Sequence, residues 1–300
     1  MARSDPHWFS ARWFSARSFL FAPGDRPELL RKVTHAGADA VVLDLEDAVR
    51  SENKTMARHE VGEAVAAAAG DAGPPIWVRV NALRGDAWKE DLEAVVRPGL
   101  GGVRVPKAES SEELTELHRA LGEAEARAGL EAGSLAVTCT VESALGLWAA
   151  EDLARSPRVV QLAFGEADFV ADIGAAPVSQ ATLFARSRLV VVSRVAELLP
   201  PIAPVYTHLD DDEGLERSSA EARDLGFGGR SCIHPRQLPT VHRVFTPDAA
   251  AVEQAKRVVQ AAEAANGGGG LAGSEFVDAA VVRRARAVLK RAHSLEEEGT

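Results

Sequence analysis

Glu142, Glu166 and Asp168 each come just after an apolar run rich in β-branched residues: Ala136–Val141 before the first, Val159–Phe164 before the other two. Between these runs, residues 145–155 have helical character. A strand ending in a carboxylate, a helix and a second such strand form a βαβ unit with acids at one rim. In a parallel barrel that rim carries ligands and catalytic groups. Hard oxygen ligands with no Cys or His beside them suit Mg²⁺ better than zinc. The structural alternative is that these acids cap helices or offset their dipoles. On these residues alone both readings stand.

The elements that must position them recur along the chain. Strand-like runs occupy residues 18–22, 40–43, 76–80, 102–105, 136–141, 159–164, 202–207 and 229–233. They alternate with helical stretches at 28–35, 53–69, 89–96, 111–128, 145–155, 181–199 and 214–225. The strands are near-continuous apolar runs, as a sheet buried on both faces requires. The spacing predicts an α/β fold, a (β/α)8 TIM barrel. A doubly wound open sheet would carry a glycine-rich phosphate fingerprint after its first strand, and Pro23-Gly24-Asp25-Arg26 is not one.

In a barrel, the strand ends deliver Asp25, Glu46, Asp47, Arg79, Asn81, Lys107, Glu142, Glu166, Asp168, Asp210 and His234 to the rim. One chemistry that uses such a set is metal-assisted cleavage or formation of a carbon–carbon bond beside a carbonyl. Two carboxylates hold Mg²⁺, the ion chelates a 2-oxo acid or its 2-hydroxy counterpart, and an Arg helps stabilise the developing oxyanion. Arg79 suits that role because its planar fork binds a carboxylate at two points. Taken singly, each of these charges reads first as a member of a structural ion pair, and only their conjunction points to catalysis.

The 300 residues are 46% hydrophobic and 26% charged, with a net charge of −10. That balance argues against a nucleic-acid surface, which needs a concentrated basic face. No apolar run approaches the roughly 20 residues of a membrane span, and the N-terminus lacks the apolar core of a secretory signal. A cytoplasmic protein is expected. Cys139 and Cys232 lie in strand-like runs and read as buried, reduced thiols. Residues 1–16 read as a tail containing a tandem WFSAR, at 8–12 and 13–17, too short for an architectural repeat. Residues 17–265 form the expected barrel and 266–273 a flexible Gly-rich linker. Residues 274–292 form a C-terminal lid segment with a basic helix, and 293–300 a disordered tail.

The runs RSFLFAPGD (17–25), ADAVVLDLEDAV (38–49), VRVN (78–81), VPK (105–107), VES-A-LG (141–146), AFGEADF (163–169) and LGFGGRSCIHPRQL (225–238) keep their order along the chain. Together they resemble the citrate lyase β-subunit-like family of CoA-ester lyases, which includes malyl-CoA and citramalyl-CoA lyases. The resemblance implies a TIM barrel, Mg²⁺ (Mn²⁺ able to substitute) and coenzyme A as part of the substrate. It implies that Glu142 and Asp168 hold the metal, that Glu142 also lies against the substrate, and that Arg79 contacts the oxo-acid carboxylate. GSEFVDAAVV places Asp278 at the family's general acid/base, which reaches the site of a neighbouring subunit. A homo-oligomer, trimer or hexamer, is therefore implied. Phe21, Lys32, Lys54 and Arg58 fall where the family contacts CoA. Pro27-Glu28 departs from the basic or polar residue often found there. The implied substrates are malyl-CoA, methylmalyl-CoA or citramalyl-CoA, cleaved to glyoxylate or pyruvate plus an acyl-CoA. The alternatives are a citrate lyase β subunit acting on a citryl thioester of an acyl carrier protein, and a non-catalytic oxo-acid or CoA binder. Citrate lyase β chains are expected to end before a coda like 274–292, which favours the CoA-ester branch.

Overall fold

The computed structural model describes residues 16–70, 72–176, 178–264, 270–272 and 275–298. The N-terminal tail up to residue 15, with most of the tandem WFSAR, lies outside them. The chain divides into two compact units, one of them Ala16–Val241 and the other continuing from His242.

The first unit is the barrel. Its strands are β1 (Ser18–Pro23), β2 (Ala40–Asp44), β3 (Ile76–Arg79), β4 (Leu100–Val105), β5 (Ala136–Val141), β6 (Val159–Phe164), β7 (Ile202–Ala203) and β8 (Gly229–Cys232). They pair in sequence order, and β1 closes on β8 with Phe19 opposite Ser231. Every pairing in the barrel is parallel. The expected (β/α)8 TIM barrel is the observed fold. Both faces of these strands are covered, so β2, β5, β6 and β8 are buried throughout. That is why no period-two alternation marks them in the sequence.

The helix Ser111–Ala128 shows the local logic. Ser110 Oγ accepts from the Glu113 amide at 3.3 Å, Glu112 and Glu113 lie in the first turn, and Gly129 ends the helix at φ +67°. Leu114, Leu117, Leu121 and Ala124 form its buried stripe. Elsewhere boundaries moved. The helical stretch at 145–155 divides into Ala144–Trp148 and Ala150–Arg155. The seventh strand shortens to Ile202–Ala203 because Pro204 has no amide to continue the ladder. A helix absent from the sequence reading, Glu166–Asp172, starts directly after β6.

In the second unit, helix Ala249–Ala264 packs on helix Ala279–Glu298 around Ala255, Val258 and Ala285. Position in the sequence had assigned Ala249–Ala264 to the barrel. Part of the expected flexible linker is ordered: Gly270–Ala272 pairs antiparallel with Glu275–Val277. Linker residues 266–269 and 273 lie outside the described set, as do residues 265 and 274. The last helix continues to Glu298, through most of the expected disordered tail, with Leu295 half-buried on it. Among the described residues, no helix is long and apolar enough to cross a membrane. Both cysteines are free and buried.

Candidate active site

A cavity of about 390 Å³ opens at the C-terminal ends of the strands. Its walls include Phe21 from β1, Asp44 from β2, Arg79 from β3, Arg104 from β4, Thr140 and Glu142 from β5 and the turn after it, and Ser231 from β8. Glu166 and Asp168 complete it from the first turn of the helix Glu166–Asp172.

On the β2–β3 side the charges settle one another. Arg79 binds Asp44 at two points, Nε to Oδ1 at 2.7 Å and Nη2 to Oδ2 at 2.6 Å, and its Nη1 lies 3.1 Å from Glu46 Oε2. Burial pulls the Arg79 pKa down, but the Asp44 hydrogen bonds and the charges of Asp44, Glu46 and Glu142 more than reverse this, leaving it raised. Lys107 Nζ donates to Glu46 and lies 3.1 Å from Asp47 Oδ2. Lys54 Nζ donates to the carbonyls of Leu45 at 2.5 Å and Glu46 at 2.7 Å, and to Asn81 Oδ1 at 2.8 Å. Arg58 pairs with Asp91 at 2.7 Å and Glu90 at 2.6 Å.

The β5–β6 side is unsettled. Glu142 is 6% exposed. Its Oε1 accepts one hydrogen bond, from the Lys107 amide at 2.6 Å. Lys107 holds a left-handed backbone, φ +49°, a strained conformation for a residue with a Cβ. Gly165 lies against the other carboxylate oxygen: a Cβ there would fall on Glu142 Oε2 and 2.5 Å from the Glu142 Cβ. Burial, then the charges of Asp168 and Glu46, push the Glu142 pKa up to about 7 against the Lys107 amide and Arg79. A buried carboxylate that faces the charge of a second acid is suited to a divalent cation. Among the described residues no cluster of three or more acids, histidines or cysteines could hold a metal. A cation held by Glu142 and Asp168 would keep open positions for water and substrate, the pattern Mg²⁺ favours.

The structure thus brings Arg79, Glu142, Asp168 and Phe21 to one cavity. Arg79 and Arg104 lie over the Phe21 ring at 5.3 and 5.0 Å. Glu166 also lines the cavity, with Oε1 accepting from Thr182 Oγ1 at 2.7 Å. Other expected rim residues work around it. Asp25 accepts from Asn53, Asp210 pairs with Arg236, and His234 caps the turn at Pro235–Gln237. Lys32 is exposed on the helix Pro27–Val33. Asp278 Oδ1 caps the helix Ala279–Glu298, accepting from the amides of Val281 at 2.9 Å and Ala280 at 2.8 Å, and these bonds lower its pKa.

Sequence reasoning passed over Asp44, Arg104, Thr140 and Ser231. Arg104 had a signal. It is the one charge inside the apolar run Leu100–Val105.

Residues 17–235 match the HpcH/HpaI aldolase/citrate lyase family. The chain belongs to that family. It is 36% identical to citrate lyase subunit beta of Haemophilus influenzae, over 93% of this chain and 97% of that protein. It is 29% identical to L-malyl-CoA/beta-methylmalyl-CoA lyase of Rhodobacter capsulatus, over 92% of this chain and 94% of that protein. Among solved structures, CitE of Mycobacterium tuberculosis in complex with magnesium, acetoacetate and coenzyme A superposes with a TM-score of 0.76 at 28% identity, covering 93% of this chain and 98% of that one. The relatives are lyases, and the chain is an enzyme of that class. The H. influenzae match leaves out fewer residues than lie between Ser274 and Thr300, so it enters the C-terminal segment. The coda therefore does not separate citrate lyase β chains from CoA-ester lyases, as the sequence had suggested.

Proposed function

We propose that this chain is a Mg²⁺-dependent lyase acting on a 3-hydroxyacyl-CoA with a carboxylate on its hydroxyl carbon, yielding a 2-oxo acid and an acyl-CoA, or forming that bond in reverse. The observation that carries this reading is the Glu142–Asp168 pair at a cavity that also holds arginines. Glu142 and Asp168 would hold Mg²⁺, or Mn²⁺ in its place, and the bound ion would act as a Lewis acid on the oxo group. Asp44 and Glu46 fix the Arg79 guanidinium in the cavity wall, where its charge helps stabilise negative charge developing on the substrate. As the hydroxyl proton passes to water, the carbonyl of the 2-oxo acid forms, the carbon–carbon bond breaks and its electron pair remains on the acyl-CoA as a thioester enolate. Asp278 of a neighbouring copy protonates the enolate carbon, and in condensation removes that proton. This role requires a homo-oligomer, a trimer or a hexamer. Phe21, Lys32, Lys54 and Arg58 are the proposed CoA neighbours, with Lys54 held on the carbonyls of Leu45 and Glu46 and Arg58 on Glu90 and Asp91.

Malyl-CoA, methylmalyl-CoA and citramalyl-CoA are the proposed substrates, with glyoxylate or pyruvate as products. A citryl thioester, releasing oxaloacetate, is the second reading, and the greater identity to the citrate lyase β chain favours including it. The test is release of 2-oxo acid from malyl-, methylmalyl-, citramalyl- and citryl-CoA in excess MgCl₂. Cleavage of none of them would sink the lyase reading. Asp278→Ala is expected to abolish turnover while leaving Mg²⁺-dependent binding of the 2-oxo acid intact. Turnover at the wild-type rate would remove Asp278 from the mechanism.

A further inference from the structure

We infer that Arg104 is a carboxylate receptor on the floor of the cavity, and that it selects substrates whose 2-oxo-acid half carries a second carboxylate. This inference rests on the lyase reading above and, within it, favours the second reading, a citryl thioester releasing oxaloacetate, over the substrates that release glyoxylate or pyruvate.

Arg104 lies one residue before the end of β4, between Val103 and Val105, and is 5% exposed. Its Nε donates to Thr140 Oγ1 on β5 at 3.0 Å, and its Nη1 reaches across the barrel to Ser231 Oγ on β8 at 3.1 Å. Both partners are neutral. Among the described residues Nη2 has no acceptor and no carboxylate pairs with Arg104. Glu142 and Asp44 are the acids whose charges it feels, and Arg79 opposes them. Burial and Arg79 pull its pKa down to about 9, as for a cation lacking its counter-ion. The neighbouring Arg79 is satisfied by Asp44 and Glu46, so the unmatched positive charge in the cavity belongs to Arg104. Burial without an acid partner is not by itself a site. Arg230 is also buried, but its nitrogens bond Pro204 O and Ser218 Oγ, and it does not line the cavity.

Depth supplies the selectivity. Thr140, which marks the level of the guanidinium, lies two residues before Glu142 on the same strand. At the rise of a β-strand the Cα atoms of Thr140 and Glu142 are about 7 Å apart along the strand, so the guanidinium held by Thr140 lies deeper than the backbone that carries Glu142. A four-carbon 2-oxo dicarboxylate held by its oxo-acid end at the rim reaches the floor with its distal carboxylate. Glyoxylate and pyruvate have no second anion and leave the buried guanidinium unpaired, which is costly.

The test is calorimetric titration of the full-length protein in excess MgCl₂ with oxaloacetate and with pyruvate, repeated on Arg104→Met and Arg104→Lys. The wild type is expected to favour oxaloacetate by on the order of 30-fold, the worth of a hydrogen-bonded charge pair. Arg104→Met should erase that preference while pyruvate binding stays within about threefold, and Arg104→Lys should restore part of it. Equal binding of both acids by the wild type, or equal weakening of both in Arg104→Met, overturns the inference while leaving the lyase reading in place. Should Arg104→Met fail to fold, the wild-type preference and Arg104→Lys decide. If the wild type binds neither acid, the lyase reading fails and this inference fails with it.

Discussion

The two sides of the rim use the same kinds of residue to opposite ends. Around β2 and β3, Asp44, Glu46 and Asp47 are matched by Arg79 and Lys107, while Lys54 ties the strand ends to Asn81. Around β5 and β6, Glu142 faces the charge of Asp168 with one amide for support, and among the described residues no acid forms an ion pair with Arg104 on the floor. Matched charges hold a shape and gain little from a ligand. Unmatched charges, two negative at the rim and one positive beneath, are a cost in the empty protein that a divalent cation and an organic anion remove. Both sides are acid-rich in sequence, so the distinction lies in pairing.

Breaking the matched side should unfold the protein rather than merely slow it. Asp44→Ala strips the two-point partner from Arg79 at a position 1% exposed, and a loss of about 3–5 kcal/mol in denaturant unfolding is expected. A loss below about 1 kcal/mol would show that this network is not what holds the rim.

The unmatched side should report itself through pH. The folded-state pKa of Glu142, about 7, lies above its ordinary value of 4.5, with burial the main cause. Between those values the folded state holds a proton that the unfolded state has released. The stability from this group is therefore full below about pH 4.5 and is lost as pH rises through 7, by up to about 3 kcal/mol. Thermal melts in chelator should show that decline, and excess MgCl₂ should offset it. A decline of the same size in Glu142→Gln would assign it elsewhere.

A smaller effect sharpens the comparison without touching a charge. Gly165→Ala should push the Glu142 carboxylate aside, costing about 1–3 kcal/mol of stability and weakening the response to MgCl₂. Gly122→Ala, whose added Cβ would meet only Arg158 Nη2 at 3.7 Å, is the control and should be neutral or stabilising by up to about 1 kcal/mol. Equal behaviour of the two would show that Gly165 does not seat Glu142.

Much of the barrel was legible because its signals are local. Ala136–Val141 and Val159–Phe164 stand at the boundaries read from their apolar runs, and Ser111–Ala128 at those set by its cap and stripe. The break at Ala149 and the helix at Glu166–Asp172 were not, since neither carries a Gly or Pro marker within it. In the site, Glu142, Asp168 and Arg79 could be named because each ends or follows a strand in a recognisable run. The pairing of Lys54 and Arg58 could not, because their acceptors come from other βα units.

Alternation of apolar runs with helical stretches determined that this chain closes a parallel barrel and that its acids collect at one rim. That information sits within a few residues of each element. Only the tertiary structure decided which charges are spent and which are spare. Asp44 meets Arg79 across 35 residues and Arg104 reaches Ser231 across 127, separations at which hydrogen bonding follows from closure of the sheet and leaves no trace in local pattern.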